Sequence, residues 1–348
     1  MSINREIYRG LCRSEPSIPL FSRDWWLDAV CGKDNWDVAL EMRGDEVIGS
    51  LPFYRTRILG SSAITMPWLT QTMGPWVKPT TSNKLHKKVS HEMDITTSLI
   101  DKLPPFGYFE QRLDHTQTNW LPFYWKGFEQ TTRYSHVIHD LTDLDRLWQE
   151  CFHGIRKRIK KAQSQVEVIE SGDVKRLFEL HSAVFERQGI KLPYSLDLIE
   201  RIDRACREHG TGRLTLAVDG SGEVHSADYM IWTEDKAIGL MSGLNPKYRH
   251  DESYKLLTWD AIGFASTVAK KYDFGGSMLM RIEELNRSFG GVQVPYSDVT
   301  KVNAPHLLLM RSLKQLVKWG QDGLDAQARP KCEAEDSAAP STLTTVEE

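Results

Sequence analysis

Two stretches of this 348-residue chain repeat one local design. In the first, Ala39-Leu40-Glu41-Met42 runs into a polar turn and then Glu46-Val47-Ile48-Gly49-Ser50-Leu51-Pro52-Phe53. In the second, Thr215-Leu216-Ala217-Val218 runs into Asp219-Gly220-Ser221-Gly222 and then Glu223-Val224-His225-Ser226-Ala227-Asp228-Tyr229-Met230. Alternating residues around a Gly-containing turn mark a β-hairpin. Two unrelated hairpins would also look alike, but a duplicated domain with its boundary near residue 142 accounts better for the spacing. With 40% hydrophobic and 26% charged residues, the chain has enough apolar surface for two cores of ordinary size.

Periodicity fills in the rest. Ser22 is expected to cap a short helix that turns Trp25, Trp26, Ala29 and Val30 inward. Residues 61–80, rich in Pro, Gly, Thr and Trp, read as a long ordered loop. A helix follows over 82–103, stopped by Pro104-Pro105, then strands over 108–113 and 134–141. The second half opens with one helix over 143–165 and a strand over 166–170. Amphipathic helices follow over 173–188 and 195–209. Strands over 213–218, 223–232 and 237–243, a helix over 253–271 and a short strand at 272–274 complete the pattern.

Composition narrows the function. Seven of eleven Trp residues lie in the first 125 positions, where they build either an aromatic core or the wall of a cleft. Five scattered Cys residues, none in a Cys-x-x-Cys pair, read as free thiols of a reducing compartment. The polar start of the chain holds no signal peptide or membrane span, so a cytoplasmic location is expected. After Gly320, seven acidic residues face two basic ones, a net −5 that leaves residues 1–320 at +2. Residues 321–348 are therefore expected to be a disordered acidic tail. The eleven His residues show no metal-binding spacing, and no phosphate loop or Gly-x-Ser-x-Gly elbow is present.

A series of short motifs runs through the chain: Phe21-Ser22-Arg23-Asp24-Trp25-Trp26, Ser50-Leu51-Pro52-Phe53, Gly74-Pro75, Lys126-Gly127-Phe128, Arg156-Lys157-Arg158-Ile159-Lys160-Lys161-Ala162, Ala227-Asp228-Tyr229, Asn245-Pro246, Asp273-Phe274-Gly275-Gly276 and Phe289-Gly290-Gly291. In order and spacing they resemble the Fem-type tRNA-dependent aminoacyltransferases and their GNAT-like (BioF2-like) acetyltransferase relatives. The resemblance implies an α/β protein of two tandem GNAT-like domains, residues 1–142 and 143–320. Each would be a mixed, mostly antiparallel twisted sheet flanked by helices, with the acceptor on the first domain and the acyl donor on the second. The donor would be an aminoacyl-tRNA or an acyl-CoA thioester, with no tightly bound cofactor, and the acceptor an amine of a cell-envelope, polysaccharide or nucleotide-linked precursor. The long helical arm of several relatives has no counterpart here, which departs from their pattern of tRNA contact.

In that fold a Gly-rich turn after a central strand grips the diphosphate of acetyl-CoA at a helix N-terminus. Here the turn reads Arg249-His250-Asp251-Glu252-Ser253-Tyr254, without Gly and with two carboxylates where the anion would go. Asp228 and Tyr254 are the catalytic candidates. Tyr248, Arg249, Lys255, Asp273, Gly275 and Gly276 are assigned to the donor; Trp68, Thr70, Gln71, Arg156 and Lys160 to the acceptor and its phosphates. Each has a plainer reading: a solvent-facing strand residue, a core tyrosine, a tight Gly turn, a packed loop, a solvated helix face. Two rival functions stay open, an acetyl-CoA or acyl-carrier-protein dependent N-acyltransferase and a non-catalytic RNA- or glycan-binding protein.

Overall fold

Apolar alternation in both halves draws the strands into one sheet, and the computed structural model, which describes residues 2–309, contains it. The first half supplies α1 (Ile3–Ser14), α2 (Asp24–Cys31), β1 (Trp36–Arg43), β2 (Glu46–Ile58), β3 (Ser61–Thr65), β4 (Trp76–Val77), α3 (Leu85–Asp101), β5 (Tyr108–Arg112), α4 (Leu121–Trp125) and β6 (Glu129–Ile138). The second supplies α5 (Leu144–Glu150), α6 (His153–Gln163), β7 (Val166–Ser171), α7 (Val174–Glu186), α8 (Leu196–Glu208), β8 (Gly212–Asp219), β9 (Val224–Trp232), β10 (Lys236–Leu244), α9 (Ser253–Val268), β11 (Lys271–Asp273), α10 (Met280–Ser288) and β12 (Val292–Val302). This compact unit ends at Val302, and a second begins at Asn303. The acidic tail expected over 321–348 lies outside the described residues.

The strands run β1-β2-β3-β5-β12-β6-β11-β10-β9-β8-β7, with β4 beside β2. The two halves repeat one another. β1–β2 and β8–β9 are antiparallel hairpins, β2–β3 and β9–β10 continue antiparallel, and β3–β5 and β10–β11 are the parallel pairs. A parallel pair needs a crossover, supplied by α3 in the first half and α9 in the second. The last strand of each half changes sides: β6 joins β11, β12 joins β5, and β6 and β12 pair with each other in the middle of the sheet. Strand for strand this is a tandem GNAT-like arrangement, mostly antiparallel and flanked by helices.

Alternation sends successive side chains to opposite faces. On one face a single core joins both halves, with Tyr8, Trp26 and Trp36 packed together with Leu177, Ile202 and Tyr229. On the other face α3 and α4 cover the first half and α6 and α9 the second. Trp26, Trp36 and Trp76 thus belong to the core, whereas Trp68 is 55% exposed.

Several elements differ from expectation. Helix α1, helix α4, helix α10 and strand β12 were not anticipated. Ser22 does not cap a helix: it lies in a buried 3-10 turn, and α2 begins at Asp24 behind Arg23 with no side-chain cap. The 61–80 stretch holds β3 and β4, which form because β2 offers both an edge to pair with. The single helix over 143–165 is two, broken at Cys151-Phe152, where the backbone turns extended.

Candidate functional site

The parallel pair β10–β11 holds register only from Lys236–Ile238 against Lys271–Asp273. Beyond that the strands part. On β10 the register to β9 slips between Gly239 and Met241, so Leu240 is a bulge residue with no partner opposite. On the other strand the chain leaves through Gly275, at φ +88, where a Cβ would lie 2.6 Å from the Gly239 carbonyl oxygen. Only glycine tolerates that approach.

A cleft of about 450 Å³ opens at this divergence. The loop after β3 lines one side with Trp68, Thr70 and Gln71, facing Gly239, Leu240 and Gly275. Glu110 and Arg112 of β5 also line it; they are paired at 3.0 Å, and Tyr108 donates to the other Glu110 oxygen at 3.1 Å. Thr70 is buried, its hydroxyl accepting from Trp26 Nε1 at 3.0 Å. It braces the loop, while Trp68 and Gln71 face the space.

Beneath the cleft lies a buried polar network that crosses the two halves. Asp273 Oδ1 accepts from Ser135 Oγ at 2.5 Å, from the Gly275 N–H at 2.9 Å and from Gln71 Nε2 at 3.5 Å. Its other oxygen faces Lys236 Nζ at 3.4 Å, and Lys236 also donates to Asp114 at 2.9 Å. Burial pushes the Asp114 carboxyl up, but the Lys236 ammonium outweighs it and holds the group at about 2. Burial pulls Lys236 down and the two carboxylates raise it further, so it stays charged. Asp273 and Gly276 therefore support the cleft from below, and Gly276, at φ +67, packs near Gln71 Nε2.

The turn before α9 is a second place, four residues along β10 from the bulge, about 13 Å at strand rise. Asp251 accepts from the Ser253 N–H at 2.9 Å and from His225, and Glu252 holds Lys255 and Arg158. The chain's own Asp251 carboxylate thus occupies the helix N-terminus. Tyr248 stacks on His225 at 3.6 Å, the Lys255 ammonium lies 4.5 Å over the Tyr254 ring, and Arg249 is exposed beside His250. Helix α6 packs alongside, with Lys160 exposed and Arg156 bound to Gln149 at 2.6 Å.

Asp228 occupies neither place. It shares the face of β9 that carries Ser226 and Met230, whose neighbours are on α9, and does not line the cleft. Burial, then the nearby Asp260, raises its carboxyl to about 7 against the pull of Arg213. Its sequence neighbour Tyr229 points the other way and donates to Asp203 at 3.0 Å. The structure thus brings Trp68, Thr70, Gln71, Asp273, Gly275 and Gly276 together, gathers Tyr248, Arg249, Tyr254 and Lys255 at the turn, and leaves Asp228 apart from both. Glu110, Arg112, Lys236 and Asp114 were missed, since no local motif marks them.

Residues 149–279 match the acetyltransferase (GNAT) domain family. This stretch is similar to a GNAT domain. It contains the bulge on β10, the turn before α9 and the basic helix α6. A crystal structure of FemX superposes with a TM-score of 0.62 at 14% identity, covering 89% of this chain and 98% of its own. A conserved protein of unknown function from Bacteroides thetaiotaomicron gives a TM-score of 0.54 at 9% identity, covering 86% and 97%. The C-terminal domain of a putative lysylphosphatidylglycerol synthetase from Agrobacterium fabrum gives 0.51 at 10% identity, covering 90% and 96%. No curated protein matches the chain. The fold is the Fem-type, GNAT-like one, and the GNAT domain places the chain among acyltransferases. Among the described residues, no helix is long and apolar enough to cross a membrane, and no cluster of His, Cys, Asp or Glu suits a metal ion.

Proposed function

We propose that the chain transfers an aminoacyl or other acyl group to an amine in the cleft between the 65–71 loop and the parting of β10 and β11. The observation that carries this reading is the bulge at Leu240, a residue without a register partner on β9 that lines the cleft where the parallel strands diverge. A backbone N–H there can stabilise the oxyanion that forms when an amine attacks an acyl carbonyl. Glu110, the carboxylate lining the cleft, is suited to take the proton from the attacking amine.

The reaction is direct, without an enzyme-bound acyl group. All four described cysteines are buried, and burial pushes Cys12 and Cys206 up to about 12 and Cys151 to about 11, so none offers a thiolate. Reduced, buried thiols accord with an enzyme of the cytoplasm.

The donor is proposed to be an aminoacyl-tRNA. Asp251 occupies the helix N-terminus that a diphosphate would need and Glu252 sets a second carboxylate beside it, while α6 offers Arg156, Lys157, Lys160 and Lys161 to a phosphate backbone. The acceptor is proposed to carry its amine on a cell-envelope, polysaccharide or nucleotide-linked precursor. The match to an acetyltransferase domain favours a second reading, an acyl-CoA or acyl-carrier-protein donor. Incubation with a panel of amines and either labelled aminoacyl-tRNA or labelled acetyl-CoA separates them. Transfer from aminoacyl-tRNA is expected; consumption of acetyl-CoA alone sinks the first reading, and turnover of neither donor leaves a binding protein.

A further inference from the structure

A second cavity, of about 720 Å³, lies between α7 and the loop that follows it. Its size is that of a site for a small molecule. The walls are apolar and aromatic, from Phe178, Ile190, Leu192 and Tyr194. Three polar groups stand among them. Glu186 and Lys191 line the cavity with opposite charges, paired neither with each other nor with any other described residue. Ser182, one helical turn before Glu186, has its hydroxyl oxygen shut away from solvent with no hydrogen-bond partner among the described residues. The remaining carboxylate, Glu179, is neutralised by Arg176 at 3.2 Å.

Two contacts join this cavity to the cleft. The Tyr194 ring lies 6.1 Å from that of Trp68, which lines the cleft. The Tyr194 hydroxyl meets His181 Nε2 at 2.7 Å, and His181 Nδ1 meets the Ser242 carbonyl at 2.6 Å. A carbonyl only accepts, so Nδ1 carries the proton and Nε2 accepts from Tyr194. Burial pushes His181 down, in keeping with a neutral ring. Ser242 is two residues beyond the bulge at Leu240, about 7 Å along the strand.

We propose that this cavity binds a free α-amino acid with an apolar side chain, its ammonium at Glu186, its carboxylate at Lys191 and its side chain among Ile190, Leu192 and Tyr194. A lone amine would leave Lys191 unmatched, and a lone acid would leave Glu186 unmatched. Binding stands on the cavity alone and does not depend on the function proposed above.

Titration of the intact protein with L-phenylalanine, phenethylamine and 3-phenylpropionate, followed by calorimetry without any acyl donor, tests the site. L-phenylalanine is expected to bind at least ten times more tightly than either singly charged analogue. Glu186→Gln and Lys191→Met are each expected to weaken it about tenfold. Both side chains are exposed, so the variants fold. Equal binding of the three compounds, no saturable binding, or loss of binding by Gln71→Ala with none by Glu186→Gln overturns the inference. Since no donor is present, such a failure leaves the acyl-transfer reading standing.

Discussion

The ammonium of Lys236 lies 2.9 Å from Asp114 and 3.4 Å from Asp273, and so ties β10 both to the segment after β5 and to the end of β11. It is the cation at the centre of a buried junction between the two halves.

Removing it strands the buried Asp273 carboxylate and the half-buried Asp114. Lys236→Met is expected to cost about 3–5 kcal/mol of unfolding free energy, read from denaturant midpoints. The same pair sets a pH dependence. The Asp114 carboxyl is held below its ordinary value of 3.8, at about 2. Its contribution is therefore present above pH 4 or so and fades as pH falls through about 2. Wild-type stability should drop across that window; an equal drop in Lys236→Met would refute the assignment.

Gly275 cannot accept a side chain without moving β10. Gly275→Ala is expected to lose about 1–3 kcal/mol through its left-handed backbone and the clash with the Gly239 oxygen, and to deform the cleft. Gly220→Ala, where nothing lies within 4 Å, should be near neutral. Thermal melts of the two variants make the comparison.

If Glu110 takes the proton from the amine, Glu110→Gln should lower kcat by about 10²- to 10⁴-fold with little change in KM or melting temperature. A loss confined to KM would assign Glu110 to binding instead.

Charge reversal on α6 probes the donor. Lys160→Glu should weaken tRNA binding and flatten its dependence on salt, the slope falling by about one for each lost phosphate contact. Consumption of acetyl-CoA, if any occurs, should not follow. An unchanged salt slope would make α6 a solvated face only.

Much of the fold was readable where pairing is local. The hairpins β1–β2 and β8–β9 announce themselves by alternation about Gly turns, and α7, α8 and α9 by apolar spacing. Strand β12 was hidden because Pro295, Asp298 and Lys301 interrupt its alternation, and its partners β5 and β6 lie far back in the chain. The site divides the same way. Trp68, Thr70, Gln71, Asp273, Gly275 and Gly276 stand in short motifs and converge on the cleft. Glu110, Asp114, Ser135 and Lys236 acquire meaning only when residues more than a hundred positions apart meet. Asp228 lies away from the cleft for a different reason: alternation says which residues share a face, not which face meets the cleft.

The exchange of β6 and β12 has a mechanical consequence. The halves are braided through the middle of the sheet and cannot swing apart like jaws without stripping an antiparallel ladder. For the bulky donor proposed above, admission would fall to the covering parts, the loop bearing Trp68 above all, while the spacing between β10 and β11 stays as rigid as the sheet itself.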